Sequence, residues 1–264
     1  MDKQKILNAL GDHPWRDNLQ IYDTVDSTNT LARKLASEGA PAGTVVVADC
    51  QTAGRGRMGR SFVSIKGLGL YFSLILRPKL PPDKLLHLTP MVAVAACDAV
   101  EEAAGLRPQV KWINDLIINE RKLAGILTES SMNFETGKLD YLIIGIGINC
   151  QHEPEDFPQG LNAISLKTAL GHGVSREELT AALMRSLEKM QAALVGGKGV
   201  WMERYREDCL TVGRRVKVIC RETETPAFAM GIDENGGLLV RYDDGREDVV
   251  SYGEVSVRGE QGYI

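Results

Sequence analysis

The sequence lacks a long hydrophobic run, an excess of basic residues and any paired-cysteine motif. None of its apolar segments reaches the roughly 18–20 consecutive residues that a membrane-spanning helix needs. Lysine and arginine number 31 against 35 aspartates and glutamates, which gives a formal net charge of −4. We therefore expect no membrane span, and nucleic-acid binding would require a strongly local basic patch.

The five cysteines are scattered, and no two of them stand in a C-x-x-C pair. An odd and dispersed set of cysteines argues against a zinc site and against a disulfide framework. The cysteine pattern therefore favours a protein of a reducing compartment, and we expect a cytoplasmic location.

Periodicity and turn residues predict an α+β chain with two parts. Apolar and β-branched runs predict strands over residues 19–25, 44–50, 69–78, 109–119, 122–130 and 138–150. Helical spacing and caps predict helices over residues 2–10, 26–39, 85–105 and 175–194,. After Gly213, short strands separated by ENGG and DDG turns predict a small antiparallel barrel,. We therefore place one domain at 1–212, with a short helical lead over 1–18, and a barrel at 213–264.

The segment QTAGRGRMGRS, residues 51–61, is called the arginine loop below. Its glycines free backbone N–H groups to wrap a ligand, and its arginines offer planar donor forks suited to carboxylate and phosphate. The last glycine is not followed by Lys-Ser/Thr, which excludes a Walker loop, and the G-x-G-x-x-G match does not open a helix. Taken alone, the segment is equally compatible with a mobile, solvated surface loop.

Lys111 stands in the otherwise apolar segment VKWINDLIIN. In one continuous strand, Lys111, Ile113 and Asp115 would share a face. A buried lysine costs free energy unless an anion pairs with it. Lys111 therefore either reaches solvent at the strand end or points at an anionic ligand.

The segment DSTN, residues 26–29, is either a simple helix cap or a cluster of donors and acceptors for a polar head group,. Gln51, at the end of a buried strand, could join such a cluster. Gly145 and Gly147 lie inside a predicted strand, which suggests the close approach of a ligand or another backbone,.

Five segments in this order resemble the catalytic core of biotin protein ligases over residues 21–150: VDSTNTLA, CQTAGRGRMGRSF, GLGLYFSLILRP, VKWINDLIINERKLAGILTE and IIGIGINC. The C-terminal strands resemble the SH3-like domain of the same family. The resemblance implies a mixed central sheet flanked by helices, of the class II aminoacyl-tRNA synthetase and biotin ligase type. It also implies that 1–212 is the catalytic domain and 213–264 the SH3-like barrel.

The resemblance also implies roles for individual residues. The biotin contacts of the family fall on Ser27, Thr28, Asn29 and Gln51. The loop that orders over biotin and the adenylate maps to Arg55, Gly56 and Arg57, and the lysine of the family's K-W-P-N-D motif maps to Lys111. Of these, Arg57 and Lys111 are the expected catalytic residues, because negative charge grows when a carboxylate attacks a phosphate. No metal ligand is identified.

The implied reaction uses ATP and Mg²⁺ to convert biotin into biotinyl-5′-AMP, and then transfers biotin to a lysine of a biotin carboxyl carrier domain. Only about 20 residues precede the first core strand, too few for an operator-binding domain, so we expect no DNA binding,. The sequence is compatible with a homodimer. Two other functions are considered. The first is lipoate or octanoate ligation, but the arginine loop and the KWIND motif favour biotin. The second is a nucleic-acid-binding regulator, but the negative net charge argues against it.

Two positions depart from the family pattern. Ile113 replaces the usual proline after Lys-Trp, and we expect it to keep the strand regular and to hold Lys111 less rigidly,. Phe62 stands where a tryptophan is common, and it offers a smaller aromatic wall without an indole N–H,. Both changes are expected to affect affinity rather than the class of reaction.

Overall fold

The computed structural model describes residues 1–81, 85–133, 135, 137–194, 196–220, 223–251 and 255–259. Its larger sheet contains β1 (Leu19–Val25), β2 (Val45–Gln51), β3 (Gly69–Leu76), β4 (Gln109–Lys111), β5 (Asp115–Ile118), β6 (Arg121–Met132) and β7 (Leu139–Asn149). The strand order is β1-β2-β3-β7-β6-β5-β4. The pair β1–β2 is parallel and the other neighbours are antiparallel, so the sheet is mixed, as predicted.

Helices cover both faces of this sheet. They are α1 (Lys3–Leu10), α2 (Thr28–Ser37), α3 (Leu88–Ala104), α4 (Leu166–Leu170), α5 (Arg176–Ala193) and α6 (Lys198–Asp208). The alternation of strand side chains divides the core in two. Val46, Ile75 and Ile143 pack under α2, whereas Val45, Leu74 and Ile144 join the larger cluster formed with α3 and α5. The apolar α3 lies at the centre, against α5, α6 and β6.

The prediction of one strand over residues 109–119 is wrong. The chain turns at residues 112–114, so that Lys111 pairs with Asp115 in a tight hairpin of β4 and β5. The peptide bond between Trp112 and Ile113 is cis. The turn is held from outside: the Trp112 amide donates to Thr211 Oγ1 at 2.9 Å, and Asn114 Nδ2 donates to the Ile126 carbonyl at 2.9 Å.

Ile113 therefore does not keep a strand regular, contrary to expectation. It is buried, and its carbonyl accepts a hydrogen bond from the Tyr205 hydroxyl at 3.3 Å. The prediction that one strand face carries Lys111, Ile113 and Asp115 is also wrong, because the hairpin pairs Lys111 with Asp115 on the neighbouring strand. The next turn joins β5 to β6, with Asn119 and Glu120 at positive φ,.

The C-terminal part is a five-stranded antiparallel sheet, which confirms the predicted small antiparallel unit. It contains β8 (Arg215–Cys220), β9 (Thr223–Ile232), β10 (Leu238–Tyr242), β11 (Glu247–Val250) and β12 (Val255–Gly259), in the order β11-β10-β9-β8-β12. The Trp112 indole N–H donates to the Gly236 carbonyl at 2.8 Å and joins this sheet to the β4–β5 hairpin. Within the described ranges, no helix is both long enough and apolar enough to cross a membrane.

Candidate active site

A cavity of about 590 Å³ opens between the larger sheet, the arginine loop and the C-terminal sheet. Its volume suits a ligand the size of a small cofactor. All eight side chains or backbones predicted for the site line it: Ser27, Thr28, Asn29, Gln51, Arg55, Gly56, Arg57 and Lys111. The structure thus brings together residues that are spread over 85 positions of the sequence, from 27 to 111.

The N-terminus of α2 forms one wall. Ser27, Thr28 and Asn29 are buried there, at the junction with the end of β2. Gln51 supplies the capping acceptor: its Oε1 accepts from the Thr28 amide at 2.8 Å and from Thr28 Oγ1 at 3.1 Å. Gln51 Nε2 donates to Ser64 Oγ at 2.8 Å. Gln51 therefore fixes the helix N-terminus beside the cavity as well as lining it.

Asn29 lies in the first turn of α2, and both the oxygen and the nitrogen of its side-chain amide form hydrogen bonds to the sheet. Its Oδ1 accepts from Ser73 Oγ at 2.6 Å, and its Nδ2 donates to the Leu127 carbonyl at 3.2 Å. This position needs the glycine of β7, because a Cβ on Gly145 would lie 2.0 Å from Asn29 Oδ1. The interior glycine thus makes room for a side chain that lines the site.

Gly147 makes room for the Phe62 ring in the same way. A Cβ on Gly147 would lie 2.6 Å from the Phe62 ring, and a Cβ on Gly125 would lie 3.5 Å from it. The ring therefore lies flat across two glycine positions of neighbouring strands. It meets Tyr71 edge-on, with 6.4 Å between the ring centroids,. Phe62 is thus part of the cavity wall.

The arginine loop is a small hairpin rather than a solvated coil. Arg55 forms an antiparallel bridge with Ser61, and the Gly56 amide donates to the Arg60 carbonyl at 2.7 Å. At its base the Phe62 amide donates to the Gly54 carbonyl at 2.9 Å. Gly54 has no space for a side chain, since a Cβ there would lie 2.4 Å from the Phe62 carbonyl oxygen. The loop is therefore a defined wall of the cavity.

Two arginines tie this hairpin to the sheet. Arg55 makes a two-point contact with the Glu129 carboxylate, at 3.2 and 3.1 Å. Arg57 Nη1 donates to Asn114 Oδ1 in the β4–β5 turn at 3.0 Å. Burial lowers the pKa of the Arg57 guanidinium, and Asp115 opposes the shift. Arg57 is thus the more deeply placed cation of the two, next to the hairpin that carries Lys111.

Lys111 is 6% exposed at the end of β4. Burial lowers its pKa to about 8, an effect that Asp115 opposes and that Lys122 and Arg258 reinforce. The lysine is therefore turned into the cavity rather than toward solvent. Burying an ammonium group beside other cations favours an anionic ligand that would offset their charge.

Sequence reasoning missed Lys122, which also lines the cavity. Its Nζ lies 2.6 Å from Asp115 Oδ1, so the two lysines flank one carboxylate. The signal was present, because Lys122 precedes the apolar run of β6 much as Lys111 stands in an apolar segment. Its place after a two-residue turn concealed it, since such a lysine is usually solvated.

The C-terminal sheet contributes Lys217, Glu224 and Arg258 to the same cavity. Among the described residues that line it, seven side chains are basic and two are acidic, Asp115 and Glu224. The cavity is therefore strongly positive in a chain whose formal net charge is −4. Such a local concentration of cations favours small anionic ligands such as carboxylates and phosphates.

Comparisons with known proteins agree with this geometry. Residues 21–149 match the biotin/lipoate A/B protein ligase family, and residues 211–258 match the biotin protein ligase C-terminal domain. The bifunctional ligase/repressor BirA of Bacillus subtilis (strain 168) is 39% identical over 258 residues, which are 95% of this chain and 78% of that protein. The biotin–[acetyl-CoA-carboxylase] ligase of Paracoccus denitrificans is 32% identical over 244 residues, which are 89% and 98% of the two chains.

A solved structure, the biotin protein ligase from Aquifex aeolicus in complex with biotin and ATP, has a TM-score of 0.77 to this chain. Its sequence identity is 30%, and the match covers 92% of this chain and 99% of that one. Family models, sequence relatives and fold therefore agree, and each kind of match includes residues of both parts. The chain belongs to the biotin protein ligase family.

Proposed function

We propose that this protein is an ATP-dependent biotin protein ligase that forms biotinyl-5′-AMP and transfers biotin to a lysine of a biotin carboxyl carrier domain. The observation that carries the proposal is the convergence of the predicted biotin contacts with a group of buried cations in one cavity. The cavity volume of about 590 Å³ lies in the range of small-molecule and cofactor sites,.

Biotin binds at the wall formed by α2 and β7. The ureido ring needs donors and acceptors together, and Ser27, Thr28 and Asn29 offer small hydroxyl and amide groups there. Gln51 fixes the first turn of α2 through the Thr28 amide and hydroxyl. Phe62, lying over Gly147, supplies an apolar surface for the rest of the ligand.

In the first step, a carboxylate oxygen of biotin attacks the α-phosphorus of ATP and pyrophosphate leaves. Two anions must meet, and negative charge grows on the phosphate oxygens in the transition state. Arg57 and Lys111 neutralise this charge, and Lys122 is a third cation within the same hairpin region. Because these groups are positioned before the substrates bind, little reorganisation is needed during the reaction.

Mg²⁺ fits this site as a companion of ATP. In the part of the chain that the structure describes, no three His, Cys, Asp or Glu side chains cluster as metal ligands. Mg²⁺ in nucleotide sites is commonly held by one or two carboxylates and the substrate phosphates, and Asp115 offers a hard oxygen donor on the cavity wall,. When bound, Mg²⁺ would neutralise phosphate charge and favour departure of pyrophosphate.

In the second step, the ε-amine of an acceptor lysine attacks the acyl carbon of the adenylate and AMP leaves. The mixed anhydride is hydrolysed if water reaches it. The arginine loop, pinned at Arg55 and Arg57, covers the cavity and limits that access. The acceptor domain, the Mg²⁺ requirement and a cytoplasmic location remain predictions.

Biotin-dependent release of pyrophosphate from ATP tests the first step and the choice of substrate. Biotin, lipoate and octanoate are offered separately to the protein with ATP and Mg²⁺. We expect release and thermal stabilisation with biotin, since the C-terminal match is to biotin protein ligases. Release with lipoate or octanoate but not with biotin would contradict the proposal.

A further inference from the structure

Glu129 lies in β6, where three groups from two other segments meet its carboxylate. Arg55 of the arginine loop contacts it through both terminal nitrogens, at 3.2 and 3.1 Å. Asn29 Nδ2 of α2 donates to Glu129 Oε2 at 2.9 Å, and Arg33 of α2 also forms an ion pair with it. One half-buried carboxylate thus joins the loop, the biotin wall and the sheet.

The contact engages both terminal nitrogens of Arg55. A bidentate guanidinium–carboxylate pair fixes both the distance and the orientation of its partners. Arg57, by contrast, donates to the Asn114 amide oxygen in the β4–β5 turn, and it lines the cavity together with Lys111 and Asp115. Arg55 and Arg57 therefore have different environments, although they stand two residues apart.

We infer that Glu129 is a positioning residue that latches the arginine loop through Arg55, and that Arg55 keeps this contact when the anionic substrates bind. Under this inference Arg55 has a structural role in the loop, whereas Arg57 faces the substrate. It changes the role expected for Arg55 from a grip on the adenylate to an anchor of the loop.

The charge balance around Glu129 supports a retained contact. If Arg55 left Glu129 for the adenylate, the described partners of the carboxylate would be Arg33 and the Asn29 amide. Arg33 is 45% exposed, so its contribution is partly screened by solvent,. The Glu129 side chain is 19% exposed, and a partly buried carboxylate that loses a charged partner is left poorly compensated, which makes the exchange unfavourable,.

The test compares Glu129→Gln, Arg55→Gln and the double variant. Amide hydrogen exchange of residues 52–62 is measured in the ligand-free protein, and the affinity for biotin and ATP is measured separately. We expect each single variant to raise loop exchange by roughly 3- to 10-fold, as loss of one partly exposed ion pair would. The double variant should show about the same increase as either single variant, because both remove one interaction.

Arg33→Gln is the matched control. It removes an arginine from the same carboxylate but leaves the loop contact in place, so loop exchange should stay at the wild-type level. If Glu129 acted mainly through Asn29, the effects of Glu129→Gln and Arg55→Gln would add, and the inference would be overturned.

The opposite arrangement, in which Arg55 binds substrate, makes a different prediction. Glu129→Gln would then free Arg55 and tighten the binding of ATP or biotin, with no change in loop exchange. That result would overturn the inference. If Glu129→Gln does not fold, unchanged loop exchange in Arg55→Gln, a surface-loop variant, would also overturn it.

The affinity readout rests on the proposed function, but the exchange readout does not. A protein that shows the latch in hydrogen exchange and yet releases no pyrophosphate with biotin would overturn the proposed function alone. A protein that forms the adenylate but shows unchanged exchange in both single variants would overturn the latch alone.

Discussion

Raising the pH above about 8 should slow adenylate formation, because Lys111 loses its charge there. Burial lowers the pKa of this lysine to about 8, so it is charged below that pH and neutral above it. An anion in the cavity binds the charged form, and neutralising the lysine removes that attraction. The rate constant kcat/KM for ATP, which reports the free enzyme, should therefore fall on the alkaline side.

The size of the effect follows from the same pKa. A group with a pKa near 8 is about 90% charged at pH 7 and about 10% charged at pH 9. We therefore expect kcat/KM to fall about tenfold between those two pH values, and about tenfold for each further pH unit. The decrease in kcat/KM should stop at roughly 10²–10³ below its value at neutral pH, because Arg57 and Lys122 still stabilise the transition state when Lys111 is neutral.

The assay is biotin-dependent pyrophosphate release between pH 6.5 and 10 at constant ionic strength. Lys111→Arg is the matched variant, because its guanidinium stays charged over the whole range. We expect this variant to be less active than the wild type, because the guanidinium has a different geometry. Its activity should no longer fall as the pH rises above 8. Lys111→Ala should lower the rate of adenylate formation to the same residual level, roughly 10²–10³ below the wild-type value at neutral pH, while leaving the fold intact. A wild-type profile that stays flat to pH 10, or an alkaline limb that persists in Lys111→Arg, would refute the reasoning.

Three further variants test other contacts of the site. Arg57→Ala should form an adenylate that escapes and labels bystander lysines in a mass-spectrometric assay, and tight retention of the adenylate would count against the role of the loop. Gly145→Ala should reduce biotin affinity at least tenfold in calorimetry, because the new Cβ would lie 2.0 Å from Asn29 Oδ1,. Gly231→Ala is the control and should leave the affinity unchanged, because its Cβ would lie 3.6 Å from the Leu239 side chain. Trp112→Phe removes the 2.8 Å hydrogen bond to the Gly236 carbonyl and should lower the free energy of unfolding by about 1–3 kcal/mol in urea titrations; an unchanged value would argue against this tie between the two parts,.

Much of the fold could be predicted because its signals are local. Runs of β-branched and apolar residues mark β2, β3 and β7, and the Asn119–Glu120 turn follows from its position between two apolar segments. The break at residues 112–114 could not be predicted in the same way. Its stabilising partners, Thr211 and Gly236, lie 99 and 124 positions away in the sequence.

The same distinction applies to the site. Short motifs predicted the residues that line the cavity, since each carried an unusual composition within a few positions. The partners of those residues could not be predicted. Arg55 meets Glu129 across 74 positions, and Arg258 reaches the cavity only because the C-terminal sheet docks beside the hairpin. Lys122 was missed because its place after a turn, which is typical of a solvated lysine, concealed the apolar run that follows it.

Transfer of labelled biotin to a carrier domain tests the central claim most directly. The protein is incubated with ATP, Mg²⁺, labelled biotin and a biotin carboxyl carrier domain, alongside a carrier whose acceptor lysine is replaced by arginine. The account predicts ATP-dependent label on the intact carrier and none on the lysine-less one. Absence of label on the intact carrier, under conditions in which lipoate or octanoate is transferred to its own acceptor domain, would contradict it.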